Sequence, residues 1–232
     1  MVRQIQPELL DTLPATDRGA VGSRRDLRRL NFCMGHARIV ARALRAAFPA
    51  KPARHLLDLG GGDGDLLLKV CRILGPQWQG IEAVIVDRQN VVSKATLAGF
   101  SAAGWKVRVA EHDVVDYLCD HAAPFVEVVL ANLVLHHFTD GELEEFFSLI
   151  EGSTSLFLAV EPRRSPFGLA FSRAVGLIGC NAVTRHDAPA SVLAGFAGNE
   201  LSRLWPKREL WSVEERPAGL FSHLFLARRM LG

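Results

Sequence analysis

The residues best suited to chemistry gather in one stretch, Asp58-Leu59-Gly60-Gly61-Gly62-Asp63-Gly64. A buried-looking apolar run ends in an acid, opens into glycines, and turns apolar again at Leu66-Leu67-Leu68. Glycines between a strand and a helix let the backbone approach a ligand at the carboxyl ends of the strands. A nucleoside triphosphate needs GxxxxGK[ST], and no Gly-Lys-Ser/Thr occurs in the chain. A dinucleotide needs GxGxxG, but Asp65 stands where the third glycine belongs. Asp63 and Asp65 would also repel a pyrophosphate. A short-chain dehydrogenase would need a tyrosine–lysine pair, whereas the sole tyrosine, Tyr117, has His121 four residues on. What remains is the register acid-x-GxGxG.

Other candidates lie further along. Asp87 closes an apolar run, AVIVDR, where a carboxylate can accept a pair of ligand hydroxyls; the plain alternative is a solvent-facing strand end. Asp113 in AEHDV is equally suited to capping the short helix that follows. His136 and His137 end VVLANLVLHHF; either can be a general base or a packed, pocket-lining ring. His186, next to Asp187, offers a second imidazole, with Asp187 as the cap of a following helix in the plain reading. Arg24, Arg25 and Arg185 can grip a carboxylate bidentately, or simply be solvated.

Elements must hold these groups in place. Candidate strands are 55–60, 83–88, 106–111, 125–132 and 155–162, alternating with helical stretches at 64–75, 91–103, 114–120 and 140–150. Strict alternation means βαβ units and a parallel sheet. The first, fourth and fifth strands are almost wholly apolar, as strands covered on both faces are. Two more helical stretches follow, 167–178 and 188–204. ELWSVEERPAGLFSHLFLARR then gives two β runs about a Pro-Ala-Gly turn, an antiparallel hairpin closing the sheet edge.

Ahead of the sheet, residues 1–22 read as an arm or short helix with loop. From Ser23, the residues Leu27, Leu30, Met34, Ala37, Val40, Leu44 and Phe48 form one apolar helical stripe, with Gly35-His36 as a break point. Ser23 with Asp26 resembles a capping box. Residues 1–54 carry 11 Lys and Arg against 4 Asp and Glu, so this arm is basic while the remainder is acidic. It is either a solvated face or an electropositive lid.

Composition sets the outer limits. At 232 residues and 49% hydrophobic, one α/β domain with a full core is expected. A net charge of +2 demands neither nucleic acid nor membrane. Four dispersed cysteines without a CxxC pair give no zinc site and no disulfide framework, and read as scattered buried thiols in a reducing cytosol. The apolar stretch FGLAFSRAVGLIGC contains Arg173 and is too short to span a bilayer. The expectation is a cytoplasmic protein.

Taken in order, acid-x-GxGxG, Asp87, Asp113, the Asn132-Leu133 turn and AVEP (159–162) resemble the landmarks of the class I S-adenosylmethionine-dependent methyltransferases. The resemblance covers about residues 55–162. It implies a Rossmann-like, doubly wound sheet of seven strands with the last antiparallel, extending over 55–232, beneath an N-terminal helical lid of residues 1–54. It implies S-adenosyl-L-methionine as cofactor, and no metal. Asp58, Gly60, Gly61, Gly62, Asp63, Asp87, Arg88, His112, Asp113, Val114, Asn132 and Leu133 would hold the cofactor. An acid-rich glycine loop suits its cationic ammonium and sulfonium. ANLVLHHF replaces the Asn/Asp-Pro-Pro-aromatic run of amine-modifying nucleic-acid enzymes. A small phenolic, polyketide-like or carboxylic acceptor is therefore expected, with O-methylation first, His186 or His136 as base, and Arg24, Arg25, His36, His137 and Arg185 about the acceptor. An RNA methyltransferase using the basic arm, or a cofactor-binding protein without catalysis, are the alternatives. A homodimer is left open.

Overall fold

The computed structural model describes residues 1–120 and 125–230; His121 lies outside them. Seven strands form one sheet: β1 (His55–Leu59), β2 (Glu82–Asp87), β3 (Lys106–Glu111), β4 (Val126–Asn132), β5 (Thr154–Pro162), β6 (Trp211–Ala218) and β7 (Ser222–Arg229). Their order is β3-β2-β1-β4-β5-β7-β6. β1 to β5 pair in parallel, and β7 runs antiparallel to both β5 and β6. The chain therefore reverses its direction of winding between β1 and β4, and ligands of such sheets bind beyond the carboxyl ends at that point.

The helices are α1 (Leu9–Thr12), α2 (Arg18–Met34), α3 (His36–Ala47), α4 (Asp65–Leu74), α5 (Lys94–Ala102), α6 (Val114–Asp120), α7 (Asp140–Glu151), α8 (Pro166–Arg173), α9 (Ala182–Ala194) and α10 (Glu200–Leu204). Successive strand residues face opposite ways, and each face has its own core. Leu56, Ile85, Val128, Leu130 and Leu158 pack with α3, α4 and α5. Leu57, Leu59, Val129, Phe157 and Phe225 pack with α6, α7 and α10. This double burial is why the central strands read as unbroken apolar runs. Val40 and Leu44 of α3 belong to the first core, so the arm's third helix is an integral sheet-covering layer.

Several local expectations are corrected. The single N-terminal stripe is two helices, because Gly35 takes a left-handed conformation (φ 73°) that ends α2 and starts α3. A glycine pays no Cβ penalty for that backbone, which is why helices so often stop there. Asp17, not Ser23, caps α2, accepting from the Gly19 and Ala20 amides. Ser23 and Asp26 are buried within α2 and dock it on α9: Asp26 accepts from the Asn181 amide at 2.8 Å, and Ser23 from Thr184 Oγ1 at 3.0 Å. The expected 188–204 helix is α9 and α10, and α9 starts early because Asn181 caps it. Asp187 therefore caps no helix of its own. It accepts from the Leu9 and Leu10 amides at 2.8 and 3.0 Å and so holds α1. Pro217 and Ala218 belong to β6, and the hairpin turns at Gly219 (φ 80°). The cysteines are unpaired as expected, but Cys33 and Cys119 are exposed.

Residues ahead of α1 form a strap that runs back over the sheet's carboxyl edge. The Gln4 amide bonds Leu193 O at 3.0 Å. Arg3 bonds Ala194 O at 2.9 Å, Phe138 O at 2.7 Å and Asp140 at 2.8 Å, and stacks over Phe196. Among the described residues, no helix is long and apolar enough to cross a membrane.

Candidate active site

Beyond the carboxyl ends of β1, β2, β4 and β5 lies a cavity of about 840 Å³. Its floor is the glycine turn after β1. The glycines serve different ends. A Cβ on Gly60 (φ 66°) would run into Val134 Cγ2, and one on Gly61 would meet Asp58 Oδ2 and Ile85 Cγ2 at 2.7 Å. Those two let the turn close on the protein itself. Gly62 (φ 56°) has open space where its Cβ would be and lines the cavity. The Gly62 amide donates to Asp87 Oδ2 at 2.9 Å, tying the turn to the tip of β2. Asp87 Oδ1 accepts from the Gln89 amide at 3.0 Å.

The cavity floor is acidic. Asp58, Asp63, Asp65, Asp87 and Asp113 all line it. Burial pushes the Asp58 carboxyl up to about 8, with the nearby Asp87 charge adding to the effect. Burial also raises Asp87, against its two backbone donors and Arg88. Such a floor costs least when a cation lies on it. Asp63 is paired with Arg28 of α2, so the lid touches the glycine turn directly. Asp113 accepts from the Val115 amide at 2.8 Å, which caps α6, and it also lines the cavity.

Across the floor, Asn132 ends β4 and Leu133 follows it. Leu133 holds φ 59°, a left-handed backbone uncommon outside glycine. Its amide bonds Val160 O at 3.0 Å. His36 fixes the neighbouring Asn132. Its Nδ1 lies 2.9 Å from Asn132 Oδ1 and its Nε2 2.8 Å from Ser222 Oγ. Burial depresses the His36 pKa to about 4, against the opposing pull of Asn132 and Glu161. His36 thus orients a cavity residue rather than presenting a free ring.

The two adjacent histidines sit on a 3₁₀ turn, Leu135–His137, with ring centroids 4.2 Å apart. Glu161, at the end of β5 and fully buried, anchors that turn. Its Oε1 accepts from the Val134 and Leu135 amides at 2.9 Å, and its Oε2 meets His136 Nδ1 at 2.8 Å. On the other side, His136 Nε2 lies 3.4 Å from Glu8 of the strap. Burial lowers the His136 pKa, but Glu161 and Glu8 outweigh it and hold the ring at about 9. His137 lines the cavity with its Nδ1 3.3 Å from Asp11, and burial together with the His136 charge lowers its pKa.

The remaining candidates divide. Arg24 lines the cavity and reaches Gln89 Oε1 at 3.4 Å, while Arg88 lines it and pairs with Asp11 at 2.9 Å. Val114 lines the wall, whereas His112 stands outside the lining, its ring edge-on to Tyr117. His186 is a correction: it is exposed on α9, outside the lining, with its Nδ1 2.8 Å from Asp187, the adjacent residue whose carboxylate also holds α1. Arg25 and Arg185 are exposed and outside it too, since α2 and α9 turn those faces to solvent. Sequence reasoning missed Ile5 and Glu8 of the strap and Leu10 and Asp11 of α1, which line the cavity, and Asn31, Phe171, Val192 and Phe221, which line it as well. Glu161 was legible as the acid of AVEP, but not its grip on His136.

No family model and no curated protein matches the chain. Solved structures do. The plantazolicin methyltransferase BpumL in complex with SAH superposes with a TM-score of 0.63 at 14% identity, over 93% of this chain and 92% of that one. An O-methyltransferase family protein from Burkholderia thailandensis gives 0.60 at 18%, over 94% of this chain and 64% of that chain. The N,N-8-amino-8-demethyl-D-riboflavin dimethyltransferase RosA from Streptomyces davawensis gives 0.57 at 16%, over 97% and 62%. The chain thus spans less than two thirds of the length of the latter two. With its strand order, its antiparallel seventh strand and these matches, the protein has the fold of the class I S-adenosylmethionine-dependent methyltransferases.

Proposed function

We propose that the protein is an enzyme that transfers a methyl group from S-adenosylmethionine to a small-molecule acceptor, with oxygen as the favoured atom. The observation that carries this reading is one continuous cavity joining two unlike halves. An acid-lined floor of Gly62, Asp58 and Asp87 opens into a chamber walled by Phe171, Val175, Val192 and Phe221. The floor suits a ligand that carries positive charge and repels a pyrophosphate.

In this reading Asp87 accepts the ribose hydroxyls, Asp113 and Val114 border the adenine, and Gly62 and Asn132 border the methionine part. The bound cofactor supplies an already activated methyl group, so the protein's tasks are alignment and exclusion of water. The strap and α2 exclude water by roofing the cavity. The apolar chamber binds the body of the acceptor, and His137 is the ring placed to touch it. His136, held on both nitrogens, and His186, outside the cavity, are not placed to take a proton from it.

The test is incubation with methyl-labelled cofactor and a panel of phenols, carboxylic acids and amines. Label transferred to a phenol or acid supports the reading. Label on amines alone would overturn the choice of oxygen. Cofactor binding without turnover across the panel would favour a binding protein, and no affinity for S-adenosylmethionine by calorimetry would end the reading altogether.

A further inference from the structure

We propose that Glu8, His136 and His137 form a binding site for one divalent transition-metal ion, zinc or a close analogue, in the cavity wall. One ligand atom from each residue lies within 4.8 Å of the other two. Tetrahedral ligands at about 2.0–2.2 Å from a shared zinc stand about 3.3 Å apart. The 3.4 Å between His136 Nε2 and Glu8 Oε1 already meets that, and the His137 nitrogen, within 4.8 Å of both, has to draw in for the set to close.

The surroundings have the features of a supported metal site. A metal-binding imidazole typically gives its other nitrogen to a carboxylate, which fixes the ring and raises its basicity. Glu161 does this to His136 at 2.8 Å, and two backbone amides fix Glu161 in turn. His136 is 3% exposed and Glu161 0%, so this half is rigid before any ion arrives. Charge points the same way. Glu8, Asp11 and Glu161 crowd two imidazoles, and among the described residues no lysine or arginine pairs with Glu8 or Glu161. Arg88 answers Asp11 alone.

Donor chemistry chooses the ion. Two imidazole nitrogens and one carboxylate suit zinc and its neighbours, whereas magnesium and calcium prefer oxygen sets. Three protein ligands beside a cavity also match catalytic rather than structural zinc, whose fourth position is open to water or substrate. The site borders the chamber assigned to the acceptor, so a coordinated oxygen of the acceptor is the natural fourth ligand. The ligand set itself does not rest on the methyltransferase reading.

Calorimetric titration of the chelator-treated full-length protein with zinc chloride, without cofactor, tests the proposal. One ion per chain is expected, with affinity falling at least 10-fold in Glu8→Gln and His137→Ala. Glu161→Gln should weaken it roughly 10- to 100-fold by releasing the His136 ring. His55→Ala, which removes an exposed ring paired with Glu127 outside the cavity lining, should leave it unchanged. Circular dichroism checks that each variant folds, and the near-isosteric Glu8→Gln, on the strap outside the sheet core, protects against failure of the others. Cobalt substitution should give tetrahedral visible absorption that Glu8→Gln alters. No zinc binding by the parent protein, or equal binding in Glu8→Gln and His137→Ala, would overturn the site and identify the cluster as a proton-held clamp. Titrating the same preparation with S-adenosylmethionine reports on the methyltransferase reading separately.

Discussion

At the residue scale, the decisive groups are acids and one silent histidine. Asp87→Ala should weaken S-adenosylmethionine binding by about 1–3 kcal/mol, the cost of leaving buried hydroxyls unpartnered, and calorimetry measures it. Unchanged affinity would remove Asp87 from the site. His36 makes a pH prediction. Unfolded, it takes a proton near its ordinary 6.5; folded, it resists until about 4. The folded state therefore binds fewer protons across that window. Stability is full above pH 6.5 and falls as pH drops toward 4. The displacement is worth about 3 kcal/mol. Urea midpoints measured across that pH window should show this slope, and His36→Gln should flatten it. The sequence announced Asp87 and Asp113 because their positions follow from strand ends. It could not announce the partners of His36, since Asn132 and Ser222 meet it only through the folded sheet.

At the scale of elements, the glycine turn separates folding from binding. Gly60→Ala forces a left-handed residue against Val134, so it should destabilise the fold by well over the roughly 1 kcal/mol of backbone strain. Gly62→Ala meets open space, so it should cost only about that backbone strain while reducing cofactor affinity. Thermal unfolding and calorimetry together distinguish the two, and identical behaviour of both variants would contradict the division. The strands and most helices were legible because their periodicity is local. The ends that went astray share a cause: Ser23, Asp26 and Asp187 are capping types, but their bonding partners are remote in sequence. A side chain that caps and one that docks look identical until the fold is known.

At the scale of the whole molecule, the strap is the feature that sequence could not place. Its residues are mixed in character and carry no period, and they are ordered only by groups such as Arg3, Asp187 and Leu193. Asp187→Ala should free the two amides of α1. Protease cleavage between Met1 and Pro14 should then quicken several-fold while the sheet stays folded, as limited proteolysis with mass spectrometry would show. Equal cleavage rates would mean that Asp187 does not hold the strap. Basic charge in residues 1–54 now has addresses: Arg28 on Asp63, Arg3 on Asp140, Arg54 at the far end of the sheet. Arg3 and Arg28 are thus paired with acids within the fold, while Arg54, among the described residues, meets only a backbone carbonyl.

That leading segment supplies Ile5, Glu8 and Asp11 to the cavity's lining, so its docking is coupled to whatever the cavity holds. If, in the proposed methyltransferase, undocking of this segment and not methyl transfer limits release, turnover is paced by a conformational step. Rapid mixing should reveal a first-turnover burst of product followed by a slower steady rate, with the burst fading once the latch at Asp187 is cut.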